Sequence, residues 1–250
     1  GWVWRALRIS GRATPGRLPY PPPLRPTLGA AMAPPTASAP RADPAPGGVS
    51  ASLWAGNRQE ALTCLYHPFV RALADGTLGE GLFKSYIAQD FFFLAAFKRA
   101  YRTAGAHAVA DGDDAAVATC AKLEAAVEAE LELHSGYAAR WRVDLATASP
   151  APATASYCAF LDDASIKGLP HTLAAMAPCS RLYGFLGVAL SAAGASAGPY
   201  QDWIDTYASA EYLAAPAAKE ALLDRLVGGG AATEGEKGSW EHSGRHTRIG

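Results

Sequence analysis

An all-α, single-domain fold is what this sequence predicts, and three observations predict it. Half of the 250 residues are hydrophobic, and alanine and leucine dominate over valine and isoleucine. β-Branched side chains lose rotamer freedom against the preceding helical turn, so that bias favours helices. From residue 51 to 227 apolar residues recur at spacings of three and four, and no segment keeps the period-two alternation of a strand. The length allows a core of useful size, built by helix packing.

The N-terminal segment, 1–50, stands apart from that pattern. It holds six arginines (Arg5, Arg8, Arg12, Arg17, Arg25, Arg41) against one acid, Asp43, a net charge of +5. The whole chain carries −1, which leaves −6 on the remaining residues. The run "PYPPPLRP" (19–26) cannot be helical, because successive prolines remove donors and fix φ. The segment is read as a disordered leader, either an organellar transit peptide or sequence upstream of a start at Met32. Localisation follows that choice: mitochondrial or plastid with a transit peptide, cytoplasmic without one.

The first helix is expected over 52–74, bent at Pro68. "DGTLGEG" (75–81) makes a turn, and a long helix follows over 80–105. "ADGDD" (110–114) is a loop whose acids suit the positive end of a third helix reaching Arg140. "ATASPAPAT" (146–154) is a loop, and shorter helices are expected over 154–164, 170–194, 199–208 and 210–227. The tail 228–250, "GGGAATEGEKGSWEHSGRHTRIG", has no apolar face and reads as disordered.

Composition excludes several function classes. A mildly acidic body does not suit nucleic acid, whose phosphates demand basic patches. No run of about 18 uncharged apolar residues marks a membrane span. Cys64, Cys120, Cys158 and Cys179 are widely spaced with no C-x-x-C pair, so they read as reduced thiols. There is no glycine-rich phosphate loop and no Ser-His-Asp order.

On the second expected helix Phe83, Tyr86, Asp90, Leu94, Phe97 and Tyr101 share one face, the one that packs inward. A buried carboxylate costs several kcal/mol unless compensated, so Asp90 demands a partner. It is either half of a structural ion pair or helix cap, or an acid facing a ligand. A second inward stripe reads Leu173, Met176, Cys179, Tyr183, Leu186 and Leu190. Cys179 on such a stripe is either a small hydrophobe or, with a buried acid and rings converging on it, a nucleophile. In "EAAVEAELELHSGY" (124–137), Glu130 and His134 stand four apart, but a di-iron bundle needs two Glu-x-x-His helices, so the stretch reads as a solvated acidic face. His67 before Pro68 raises a haem ligand and is more simply structural.

Five segments in order, "HPFVRALADGTL" (67–78), "FKSYIAQDFFFLAAFKRAY" (83–101), "ELELHSGYAARW" (130–141), "APCSRLYGFLG" (177–187) and "YQDWIDTY" (200–207), resemble the TenA family, also called thiaminase II or aminopyrimidine aminohydrolase. "MAPCSRLYGFLG" is similar to the plant version, often fused to a phosphatase acting on thiamin monophosphate. The resemblance implies a haem-oxygenase-like helical bundle over 52–227 and hydrolysis of 4-amino-5-aminomethyl-2-methylpyrimidine to the hydroxymethyl pyrimidine for thiamin salvage. It implies Cys179 as nucleophile and Asp90 as the acid that binds the ring. Tyr183 and Tyr207 would stand beside nucleophile and leaving group, with Tyr157 touching the ring and Phe93 stacking on it. No cofactor or metal is implied, and the partners are an aminopyrimidine or thiamin and further copies of the chain in a tetramer. The family closes with a long helix carrying a glutamate. None of Glu234, Glu236 and Glu241 has a matching context, so the sequence reads as lacking that helix, a truncated form with weak or no turnover, whose alternative is a non-catalytic pyrimidine-binding protein.

Overall fold

Alanine- and leucine-rich stripes pack against one another as helices throughout residues 42–228, the part of the chain that the computed structural model describes. The helices are α1 (Val49–Gly56), α2 (Arg58–Leu65), α3 (Pro68–Ala74), α4 (Glu80–Ala110), α5 (Asp114–Trp141), α6 (Pro152–Ser165) and α7 (Leu169–Ala192). A 3-10 turn (Gly198–Tyr200) then leads into α8 (Gln201–Ala208) and α9 (Ala210–Gly228). No strand occurs among the described residues. The expected leader up to Arg41, the start at Met32, and the tail beyond Gly228 with Glu234, Glu236 and Glu241 lie outside them.

Two expectations are corrected at the N-terminal end. The first helix is three helices rather than one bent at Pro68. Asn57 leaves helical geometry (φ −114°, ψ 15°), and its side-chain Nδ2 donates to the Leu53 carbonyl at 2.8 Å, which closes α1. Pro68 starts a helix instead of bending one: it occupies the first turn of α3, where its missing N–H costs nothing. His67, raised above as a haem ligand, is that helix's cap, its Nδ1 accepting from Phe69 N at 3.1 Å. The fold also reaches further back than residue 51. Asp43 accepts from Trp54 Nε1 at 2.7 Å and Arg58 Nη1 at 2.6 Å, and Ser50 N donates to Asp224 Oδ1 of α9 at 2.8 Å.

α4 is the axis of the bundle, packed along α5 and against α6 and α7, while α7 also carries α8 and α9. It runs to Ala110, five residues past the expected end, because small residues Ala100, Ala104 and Ala108 keep a close, fully buried seam. Gln89 of α4 pins the start of α6, its Oε1 accepting from Ala151 N at 2.7 Å and Thr154 Oγ1 at 2.6 Å. Asp113 caps α5, accepting from Ala116 N at 2.9 Å.

By length and composition α7 could cross a membrane, yet Arg181 interrupts it, so the expectation of no uncharged apolar run of about 18 residues stands. Over an 18-residue window its mean hydropathy is 1.4 despite Arg181, and 67% of that window is buried by the other helices. Its core role explains the composition. Arg181 is held inside by Glu220 of α9, Nε to Oε1 at 2.7 Å with a second contact from Nη2 to Oε2.

Where α7 meets α8, Gly187 is required. A Cβ there would lie 2.4 Å from the Tyr207 carbonyl carbon and 2.7 Å from Ala208 N. That approach carries Tyr207 toward Tyr183, ring centroids 4.8 Å apart.

Candidate functional site

The facing sides of α4, α5, α7, α8 and α9 line a cavity of about 300 Å³ that opens to the surface. Asp90, Phe93, Cys179, Tyr183 and Tyr207 all line it, so five of the six residues singled out from the sequence converge. Tyr157 does not reach the cavity wall. It sits one ring further out, 5.3 Å from Phe93, and its hydroxyl donates to the Ala175 carbonyl at 3.3 Å. Phe97, Tyr101 and Tyr212 complete the aromatic lining.

Asp90 is 4% exposed. Its Oδ2 receives the Tyr86 hydroxyl at 3.4 Å and lies 3.2 Å from His134 Nε2. The Tyr86 hydroxyl in turn accepts from Trp203 Nε1 at 3.1 Å, and Tyr183 is a further hydrogen-bond neighbour of Asp90. Burial dominates these contacts: it raises the Asp90 carboxyl from 3.8 to about 7, against the pull of Tyr86 and Tyr183. Burial also lowers His134, which keeps its ring neutral. When Asp90 is ionised the neutral ring presents Nε2–H to it and leaves Nδ1 as an acceptor; that Nδ1 is buried and has no hydrogen-bond partner.

Glu130 and His134 correct the reading of a solvated acidic face. Glu124 and Glu128 do face outward, paired with Arg102 and Lys98. Glu130 instead lines the cavity, and its Oε1 accepts from the Tyr207 hydroxyl at 3.0 Å. Burial first, and the Asp90 charge second, push its carboxyl up to about 7. A signal for both was present in the sequence: Leu123, Val127, Glu130, His134 and Ala138 form one stripe at spacings of three and four, four of them buried.

Cys179 follows Pro178, which removes the N–H that would bond the Ala174 carbonyl. Burial, reinforced by Asp90 and Glu130, drives its thiol well above the ordinary range, while Lys219 pulls the other way. The site thus holds a thiol, two carboxyls that share a preference for protons near neutrality, and ring walls. Chemically, that set offers a flat ligand aromatic walls, a thiol and two groups able to exchange protons.

The class so defined is an all-α bundle with a thiol-and-carboxylate pocket at its centre. The chain belongs to the TENA/THI-4/PQQC family, whose sequence model matches residues 54–232. It is 34% identical over 197 residues to the bifunctional TH2 protein, mitochondrial, of Arabidopsis thaliana, covering 70% of this chain and 31% of that one. It is 33% identical over 154 residues to an aminopyrimidine aminohydrolase of Halalkalibacterium halodurans, covering 58% of this chain and 67% of that one. Against the TH2 protein the chain spans about a third of the relative's length. Among solved structures, a TenA family transcription regulator from Silicibacter sp. TM1040 superposes with a TM-score of 0.67 at 28% identity, over 78% of this chain and 87% of that one. A TenA homologue from Pyrococcus furiosus superposes with a TM-score of 0.71 at 19% identity, over 78% and 92%. The fold is the helical haem-oxygenase-like bundle.

Proposed function

We propose that this chain hydrolyses aminopyrimidines derived from thiamin, with Cys179 as the nucleophile. The observation that carries the reading is the opening of Cys179 and Asp90 onto one ring-lined cavity. Its volume of about 300 Å³ suits a single flat ring with a small substituent. The names of the relatives from Halalkalibacterium halodurans and Bacillus subtilis, both aminopyrimidine aminohydrolases, support the substrate class.

In this reading Phe93 and Tyr183 hold the ring and Asp90, protonated near neutral pH, donates to a ring nitrogen. Protonating the ring makes it electron-poor, so sulfur addition at Cys179 breaks its aromaticity more readily. The amine on the exocyclic methylene leaves, water takes its place, and the sulfur departs. Glu130, held by Tyr207, is the second carboxyl available to take or return a proton. Salvage of thiamin breakdown products is the corresponding role. A targeting role for the basic stretch before residue 42 belongs to the same proposal, supported by the mitochondrial designation of the Arabidopsis relative. Self-association as a tetramer belongs to the same proposal, and sedimentation velocity reads it.

Purified protein incubated with 4-amino-5-aminomethyl-2-methylpyrimidine should release ammonia and the hydroxymethyl pyrimidine, and Cys179→Ser should reduce release by orders of magnitude. One observation favours a second reading, a non-catalytic pyrimidine-binding module: burial holds the Cys179 thiol strongly protonated. Binding by calorimetry without ammonia release would select that module and sink the hydrolase.

A further inference from the structure

Lys219 of α9 is 1% exposed, yet no carboxylate lies within ion-pairing distance of it among the described residues. Its Nζ donates to the Met176 carbonyl at 3.2 Å and to the Ser180 hydroxyl. The Ser180 hydroxyl also lies 3.3 Å from the Met176 carbonyl, so the three polar atoms form a closed cluster. The nitrogen stands 5.0 Å from the centre of the Phe97 ring and 5.5 Å from that of Tyr101, both rings of the cavity wall. A buried ammonium is costly, and one carbonyl, one hydroxyl and two ring faces compensate it only in part. The Arg181–Glu220 pair next to it is already matched, charge for charge, by its own two contacts.

Glu220 and Glu130 act on it only from a distance, and the position of Nζ shows where a closer negative charge can arise. Met176 and Ser180 are the residues three before and one after Cys179 on α7, so the ammonium is fastened to the helical turn that carries the thiol. We propose that Lys219 is a positioning residue for Cys179, supplying the counter-charge that its thiolate needs inside the cavity. The inference rests on the reading of Cys179 as the nucleophile and adds the group that makes its ionised form attainable. An opposite charge stabilises a buried thiolate much as it does in thiol enzymes whose cysteine faces a cation. The groups bearing on this pair are Asp90 and Tyr101 of α4, Glu130 and His134 of α5, Tyr157 of α6, Arg181 and Tyr183 of α7, Tyr207 of α8, and Tyr212 and Glu220 of α9. Asp90 and Glu130 oppose ionisation of the thiol, while Lys219 is the cation that promotes it. Cys179 and Lys219 act on each other: desolvation lowers the amine to about 7, while Cys179, then Glu220 and Glu130, draw it back up.

The test measures the thiol itself, without any substrate. Full-length protein is alkylated with iodoacetamide across pH 6–10, and the Cys179 adduct is followed by peptide mass spectrometry, with Cys179→Ser as the blank. Lys219→Met and Lys219→Gln remove the charge, the first keeping the apolar stem against Phe97 and Tyr101, the second keeping a donor for Met176 and Ser180. Each should move the midpoint of alkylation upward by about one pH unit or more, slowing the reaction about tenfold near pH 6.5, where the Lys219 amine still carries its charge. Lys219→Arg, which keeps a permanent cation, should bring the midpoint back to the wild-type position or below it. A purely structural lysine would change thermal stability and leave the midpoint alone. An unchanged midpoint in a folded neutral variant overturns the proposal. Ammonia release is scored separately on wild-type protein, so a shifted midpoint without turnover would sink the hydrolase reading and leave this one standing.

Discussion

Replacing Asp90 with asparagine should stabilise the protein, and more so as the pH rises. The Asp90 carboxyl titrates near 3.8 when unfolded and is raised to about 7 in the folded protein. A raised carboxyl favours the fold fully below 3.8, and that support is lost as the pH climbs through about 7. Over roughly three units, at about 1.4 kcal/mol each, the ionised form costs up to about 4 kcal/mol at pH 8. Asparagine fills the same space, and its oxygen still accepts from Tyr86 or His134, but neutral hydrogen bonds are weaker than those to a carboxylate. About half of the ceiling, roughly 2 kcal/mol, should therefore remain as net gain at pH 8. For a chain of this length that corresponds to a rise in Tm of about 4–8 °C. Calorimetric melting of both proteins from pH 3.5 to 8.5 measures it. The difference should be near zero or negative at the acid end, grow between pH 4 and 7, and level off above. A difference that stays flat across this window, or a variant less stable at pH 8 than at pH 4 relative to wild type, would refute burial as the cause. Ammonia release should fall in the same variant, so stability and activity would move in opposite directions.

The same substitution removes the charge that helps raise Glu130, so the Glu130 carboxyl should drop below about 7, as read by carbon NMR titration of labelled glutamate. Gly187→Ala forces a methyl into the Tyr207 and Ala208 backbone, which should cost about 1–3 kcal/mol by denaturant melts and loosen the Tyr207–Glu130 hydrogen bond. Glu220→Gln deprives the buried Arg181 of its counter-charge and should cost about 3–5 kcal/mol, whereas the paired change Arg181→Met with Glu220→Leu should recover most of it. Equal losses in the single and double variants, measured by urea unfolding, would show that the pair is not the source.

Periodicity carried most of the fold, because each core-facing stripe repeats locally along the chain. The spacing of Phe83, Tyr86, Asp90, Leu94, Phe97 and Tyr101 is enough to put a carboxylate on the inner face of α4. Turn chemistry was legible where a residue acts on its own neighbours, as with Asp113 at the start of α5. It misled at Asn57 and Pro68, where a continuous apolar pattern hid two breaks, since periodicity does not register a local cap. Glu130 and His134 were misjudged for a different reason. They sit among Glu124, Glu128 and Glu132, and only the stripe through Leu123 and Val127 separates inward from outward acids.

By itself the sequence determined that the chain is helical, that Asp90 and Cys179 face inward, and which family motifs it carries. Those are properties of residues within a few turns of one another. Only the tertiary structure decided that those two residues open onto one cavity, that Tyr157 stands behind its wall, and that Lys219 reaches the turn bearing Cys179. Each of these joins helices separated by tens of residues, and helical phase says which face is buried but not which helix it meets.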